Sequence, residues 1–357
     1  MKRVYYPIVG LLAIGICVQT WWLANPRVSQ PTTSAPSFSA RVKRPALPAP
    51  EVAPIAPERQ ATSTLPGKAE GSLAKLFKDP ERALKLSAAQ LAEYLKLNQR
   101  NAESLLAAYR FTGDIAYLRE AAQMFPSDSA VLTEFALSSG DATERRGAID
   151  AMRSSDPDNA LGDHLSALDH LRHGRIEEAY NDLIAAAGKT RFDDHALQVQ
   201  QSTEEAYLAA GFSSTEAKAA AMLGLQRRQI EPMRDLSKQL TNLQKGYTSA
   251  GDSASAESLR QMGESLGRQM QGSARYLIDE LVGINIERQF LPKTDGGARQ
   301  QELQQRVDAI RTLGSSPQWQ RLMEGNDTAE MSLYLDRLKL YGEASAIQWL
   351  RQRQSKP

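Results

Sequence analysis

The stretch Ala160–Ala187, with the sequence ALGDHLSALDHLRHGRIEEAYNDLIAAA, decides the fold. Its first half carries an apolar stripe at spacings of three and four residues, formed by Leu161, Leu165, Leu168 and Leu171. A second stripe of the same period runs from Ile176 to Ala187. Gly174 and Arg175 separate the two stripes. Two amphipathic segments joined by a glycine turn predict an antiparallel helical hairpin.

Small residues in this hairpin stand where two helices must approach closely. They are Ala167, Gly174, Ala179 and Ala186, with the bulkier Leu183 among them. Gly140 and Gly174 lie 34 positions apart, which is the period of tetratricopeptide repeats. The hairpin resembles one tetratricopeptide unit, and the segment 240–256 resembles a second. The segment 190–222 breaks the period. The resemblance implies an all-α, tetratricopeptide-like array of helix pairs, an α-solenoid.

The N-terminal residues 1–24 read as a signal-anchor transmembrane helix. An uncharged run from Val4 to Ala24 follows Lys2 and Arg3 and carries aromatic pairs at both ends. About 20 apolar residues suffice to cross the hydrocarbon core, and basic residues favour the cytoplasmic side. A cleaved signal peptide is the alternative, although Trp22 makes a poor cleavage site. We expect a single-pass bacterial inner-membrane protein with a cytoplasmic N-terminus and a periplasmic or other extracytoplasmic helical domain.

Composition divides the rest of the chain into three further regions. Residues 25–68 are rich in Pro, Ala and Ser and predict a disordered linker that holds the folded part away from the membrane. Residues 69–270 predict the tetratricopeptide-like repeat domain, and residues 271–357 a C-terminal helical extension packed on the repeats. Sustained alternation of apolar and polar residues is missing, so we expect no sheet. The chain is also similar to a group of membrane-anchored bacterial helical proteins, a resemblance that implies no activity.

Several function classes are disfavoured by the residues themselves. Lys and Arg number 43 against 42 Asp and Glu, and this balance supplies no global field for nucleic acid. Cys17 is the single cysteine, so an internal disulfide and a cysteine zinc site are both excluded. Glycine-rich phosphate loops and the common hydrolase motifs are missing from the sequence. We therefore expect neither a cofactor nor an enzyme.

The four histidines all lie between His164 and His195 and form the one cluster that resembles a ligand set. At 100° per residue, His164 stands about 120° away from His170 around a helix, so the two do not share a face. We predict histidines that face solvent and no metal site.

The favoured hypothesis is a membrane-tethered, non-catalytic scaffold that binds a protein or peptide partner on the concave face of the array. The resemblance places five partner-facing candidates on first helices, namely His164, Arg172, Lys238, Thr241 and Lys245. The alternative is a structural subunit of an envelope assembly that forms a homo-oligomer through the apolar helix near Leu281. An enzyme of unrecognised type is less favoured, because a converging acid, base and nucleophile are not evident.

Overall fold

Helices form all the regular secondary structure in the computed structural model, which describes residues 76, 85–292, 297–324 and 327–354. One isolated bridge between Asn159 and Arg191 is the only extended pairing in that part of the chain. The all-α prediction is thereby confirmed. The predicted anchor, residues 1–24, and the predicted linker, residues 25–68, lie outside the described residues. Within those residues, no helix has the length and apolar character needed to cross a membrane.

The helices are numbered here in chain order. They are α1 (Ala88–Leu97), α2 (Ala102–Thr112), α3 (Ala116–Met124), α4 (Ser129–Ser138), α5 (Ala142–Ser155), α6 (Ala160–Arg172), α7 (Ile176–Ala187), α8 (Ala196–Ala209), α9 (Ser214–Leu223), α10 (Ile230–Ser249), α11 (Ser253–Gly272), α12 (Leu277–Phe290), α13 (Gly297–Gly314), α14 (Pro317–Glu324), α15 (Thr328–Tyr341) and α16 (Glu343–Gln354).

Local sequence signals explain most of these boundaries. Ser87 caps α1 and Ser213 caps α9, each through a capping box with the residue three positions later. Gly113 ends α2 with a φ of 70°, a left-handed conformation that glycine adopts without steric cost. Asn101 caps α2, and Asn98 ends α1.

The hairpin predicted from residues 160–187 is present as α6 and α7. Gly174 adopts a φ of 73° at the turn, and α6 packs along α7. Ala167, Ala179 and Ala186 are at most 1% exposed. Alanine at these positions lets the two backbones approach, so the interpretation of the small residues is confirmed.

The helix pairs α2/α3, α4/α5 and α6/α7 follow one another, with contacts between successive helices. Then α10 packs on α6, and α11 packs on both α10 and α7. The tetratricopeptide-like geometry of these pairs stays a prediction. What the structure supports is a helical domain in which consecutive helices are neighbours.

Helices α8 and α9 leave this succession, as the broken period of residues 190–222 suggests. A loop first turns the chain back: Asn159 Nδ2 donates to the carbonyl of Asp193 (2.7 Å), and Asp193 N donates to Asn159 Oδ1 (2.9 Å). Helix α8 then packs on α1, α2 and α4. Its Tyr207 meets Phe111 of α2 edge to face, with ring centroids 5.0 Å apart. The inner face of the first pairs is therefore partly occupied by the chain itself.

Three apolar clusters form the core, and the smallest consists of Tyr94, Ala107 and Ala206. The first joins helices α1 to α7 with α10, α11 and part of α12. The second joins α8, α9 and α12 with the C-terminal helices, and Leu281 packs against it. In this region α8 begins at Ala196, and Gly342 separates α15 from α16.

Three glycines allow α11 and α12 to cross in backbone contact. A Cβ atom built at Gly267 would lie 2.5 Å from the backbone N of Glu287, and one at Gly263 would lie 2.4 Å from the ring of Phe290. A Cβ at Gly283 would meet the backbone N of Gln271 at 2.9 Å. Real Cβ contacts are longer, so any larger residue here must push the helices apart.

We predict that Gly267→Ala lowers the free energy of unfolding of the full-length protein by about 2 kcal/mol, because overpacking strains this crossing. Gly246→Ala in α10 is the matched control, since a Cβ there meets nothing within 4 Å. The control gains up to about 1 kcal/mol from helix propensity. Denaturant unfolding measures both, and equal effects of the two substitutions would contradict the predicted crossing.

Glu343 attaches the last two helices to α12. Its backbone N donates to the carbonyl of Arg275 (2.8 Å), and its Oε2 accepts from Leu277 N (2.8 Å) at the start of α12. Burial raises the pKa of Glu343 to about 7, with Asp279 acting in the same direction and the Leu277 N–H against it.

The raised pKa predicts that ionisation of Glu343 lowers the free energy of unfolding. The folded state holds the proton more tightly than the unfolded state, so the stability contributed by protonated Glu343 is lost as pH rises from about 4.5 to about 7. Glu343→Gln keeps an acceptor for Leu277 N but cannot ionise. We expect the variant to exceed the native protein by about 3 kcal/mol at pH 8 and to match it at pH 4.5. An offset that is the same at both pH values would contradict this assignment.

Candidate functional site

A recess of 1380 Å³ lies beside α8, among helices of the first pairs, α10 and α12. Its wall is built from α2, α4, α5, α6, α8, the first turns of α10, one side of α12 and the segment 223–228 that precedes α10. Apolar side chains contribute part of the lining, among them Phe111, Leu137, Leu168 and Ile286. Elements distant in sequence thus meet around one space.

Basic side chains outnumber acidic ones in this lining. The basic residues are Arg110, Arg145, Arg172, Arg227, Arg228, Arg234 and Lys238, and the acidic residues are Asp169, Glu231 and Asp235. Carboxylates just behind the wall pair with some of the arginines. The charge of the recess is therefore determined by the cations that have no carboxylate partner.

Two arginines share a single buried carboxylate at the inner wall. Nη2 of Arg110 donates to Oε2 of Glu134 (2.7 Å), and Nε of Arg228 lies 3.0 Å from Oε1 of the same group. The side chains of Arg110 and Glu134 are 8% and 4% exposed. The Arg228 guanidinium also lies 5.2 Å from the ring centroid of Tyr109. These three charged residues, here called the Glu134 cluster, carry one net positive charge.

Burial leaves Arg110 incompletely satisfied. Its Nε and Nη1 atoms are buried and have no hydrogen-bond partner in the structure. Burial lowers the pKa of Arg110 from its ordinary value, with Arg228 acting in the same direction and Glu134 against both. A buried guanidinium with unused donors is costly, so this position favours an additional anion.

Arg227, the neighbour of Arg228 in sequence, lies between two carboxylates, although its Nη1 makes no hydrogen bond. Its guanidinium donates to both carboxylate oxygens of Asp279, at 3.0 and 2.6 Å. Asp194 lies 3.0 Å away on the other side, and the ring of Tyr276 lies 5.0 Å below. Burial opposes the charged form, but the two carboxylates outweigh it and raise the pKa of Arg227. Its charge is therefore neutralised within the fold.

Cations also stand at the edge of the recess. Arg172 at the end of α6 pairs with Asp235 of α10 at 2.7 Å. Arg234 and Lys238, one helical turn apart on α10, are exposed and make no ion pair with another described residue. The edge thus adds unpaired positive charge to that of the Glu134 cluster.

The five candidates from the sequence fall in three places. Arg172 and Lys238 both line the recess, from different helices. Thr241 and Lys245 continue along α10 beyond the lining, where Thr241 Oγ1 donates to the carbonyl of Ser237 (2.9 Å). His164 lies inside the fold and is 1% exposed. The prediction that the histidines face solvent is wrong for His164, because both flanks of α6 are covered.

The hydrogen bonds of Gln269 show which ring nitrogen of His164 carries a hydrogen. The amide of Gln269 donates from Nε2 to the carbonyls of Ala186 and Lys189, which leaves its Oε1 to accept from His164 Nε2–H at 2.7 Å. His164 Nδ1 is buried without a partner. Burial is the main cause that lowers the pKa of His164, to about 4, against the favourable effects of Gln269 and Asp163.

Sequence reasoning missed Arg110, Glu134 and Arg228. Each of the three looks ordinary in the sequence. Arg110 stands alone near a helix end, Glu134 lies in an apolar helix, and Arg228 belongs to a basic pair before a helix. Their convergence depends on how α8 and α9 return across the array. The glutamate between Thr133 and Phe135 was the one available signal, since a charged residue inside an apolar run needs a partner when buried.

The described residues include no group of three or more histidine, cysteine or acidic side chains arranged to hold a metal ion. Comparison with models of known families, with curated proteins and with solved structures finds no match to this chain.

The buried His164 predicts acid sensitivity. Because its folded pKa of about 4 lies below the ordinary 6.5, the stability held above pH 6.5 is lost as pH falls toward 4. The native protein thereby loses about 3 kcal/mol of unfolding free energy. His164→Gln keeps a donor for Gln269 but cannot take up a proton. We expect its unfolding free energy, measured from pH 7 to pH 4, not to show this loss. The control is the exposed His173→Gln, which should retain the native acid loss. An unchanged acid response in His164→Gln would refute this assignment.

Proposed function

We propose that this chain is a non-catalytic binding module in which the recess receives a segment of a protein partner. The observation that carries the proposal is the recess itself, a large space bordered by seven helices on the inner face of the array. In this proposal the pairs α2/α3, α4/α5, α6/α7 and α10/α11 are tetratricopeptide-like units, and their inner face is the recognition surface.

Size favours a polypeptide over a small metabolite. Sites for small molecules typically have volumes of about 300 to 1000 Å³, and this recess measures 1380 Å³. Its lining alternates apolar patches around Phe111 and Leu168 with polar and charged groups. A peptide that carries both kinds of side chain matches such a wall better than a compact polar molecule does.

The proposal includes the predicted tether. An anchor within residues 4–24 and a linker over residues 25–68 would hold the binding domain near a bilayer on the extracytoplasmic side. Tethering raises the effective concentration of the domain for partners at the same membrane. The linker composition suits a spacer because proline favours extended conformations.

A photo-cross-linking side chain introduced at Lys238 tests the recess as a partner site. In cells that express the full-length protein, we expect an adduct with a discrete second protein from position 238. The same group placed at Lys245 is the matched control, because this exposed residue lies on the same helix outside the recess. It should give no adduct of that mass.

Two results would contradict the proposal. One is no adduct from position 238 when the photoreactive protein is folded and abundant. The other is an equal adduct from both positions, which would indicate contact along the exposed side of α10 and not with the recess.

A further inference from the structure

We propose that the recess selects an acidic peptide segment, whose side-chain carboxylates pair with the Glu134 cluster inside and with Arg234 and Lys238 at the edge. This inference rests on the proposed function and adds the chemistry of the ligand. The inference rests on the positions of positive charges for which the fold provides no partner.

The inner part of this argument is the shared carboxylate. Glu134 serves two guanidinium groups, and Arg110 keeps two buried nitrogens without a hydrogen-bond partner although its side chain is only 8% exposed. Nε of Arg145, from α5, is a third buried donor in the lining without a partner. Burying unpaired charge and unused donors costs stability. An incoming carboxylate at one of these donors would accept a charge-assisted hydrogen bond.

The arrangement of the cations determines how many anionic groups the ligand needs. Arg228 lies in the segment before α10, whereas Arg234 and Lys238 follow on the first turns of that helix. A single compact anion placed at the Glu134 cluster would leave the two edge cations unpaired. A ligand with several carboxylates along an extended chain pairs with both groups.

Apolar lining distinguishes an acidic peptide from an inorganic polyanion. Phe111, Leu137 and Ile286 share the wall with the arginines. These side chains gain from contact with apolar groups, which phosphate and polyphosphate lack. The ligand chemistry that matches the whole wall is therefore a peptide that mixes glutamate or aspartate with apolar residues.

The test uses a fluorescent peptide of Glu-Glu-Leu repeats, acetylated and amidated so that every carboxylate belongs to a side chain. We expect saturable one-to-one binding to the full-length protein, weakened by added salt. Arg110→Gln and the double variant Arg234→Gln/Lys238→Gln should each weaken binding about tenfold or more, the usual effect of losing a charge-assisted hydrogen bond. Lys245→Gln is the control and should bind like the native protein.

The double variant changes two exposed side chains, so it remains informative if Arg110→Gln does not fold. Binding that is unchanged in the double variant would overturn the assignment.

Competitors separate the ligand classes. We expect a Gln-Gln-Leu peptide, inorganic phosphate and tripolyphosphate to compete poorly. Equal binding of the neutral peptide would overturn selection for acid, and binding of tripolyphosphate without the acidic peptide would replace the ligand by a phosphate compound. Either result is compatible with an adduct at position 238 and overturns only the ligand chemistry. If position 238 gives no adduct, the recess is not a partner site, whatever the peptide measurements show.

Discussion

The carboxylate of Glu134, buried between the guanidinium groups of Arg110 and Arg228, is the interaction on which the recess depends. It ties α4 to α2 on one side and to the segment before α10 on the other. A charge at 4% exposure must be paired, because an isolated buried carboxylate costs several kcal/mol. The three elements are therefore held together by the requirement to neutralise one group. The two arginines, in turn, are neutralised incompletely, since two cations share one anion.

The neighbouring residues Arg227 and Arg228 show how position alone separates a neutralised charge from one that belongs to a cluster with surplus charge. Arg227 turns toward Asp279 and Asp194 and is neutralised inside the fold. Arg228 turns the other way, toward Glu134, and contributes to a cluster with surplus charge. Adjacent identical side chains thus serve two purposes, one holding α12 to the loop that contains Asp194 and the other facing the recess.

The return of α8 and α9 creates both the recess and its limits. Hydrogen bonds between Asn159 and Asp193 redirect the chain after α7, and α8 then covers part of α2 and α4. Tyr207 of α8 and its neighbours cover part of this helical surface, and the recess lies beside them, between α6, α10 and α12. A partner segment would meet a bounded space and not an open groove.

The sequence by itself determined the local elements. The signals that act over a few residues are apolar periodicity, caps such as Ser87 and Ser213, and the glycine at 174. They were enough to predict the hairpin α6/α7, the pairing of α10 with α11 and a fold without sheet. Helical spacing shows which residues share one face of a helix, and two of the five candidates, Arg172 and Lys238, line the recess. Periodicity does not show whether that face meets solvent or a second layer, which is why His164 was misplaced.

Only the tertiary structure decided where buried charges meet. Arg110, Glu134 and Arg228 lie 24 and 94 residues apart in sequence, and no local signal relates them. Their contact follows from the return of α8 and α9, which is itself set by long-range packing and by the hydrogen bonds of Asn159. Helix formation depends on neighbours within one or two turns, whereas neutralising a buried charge depends on whichever element the fold brings beside it.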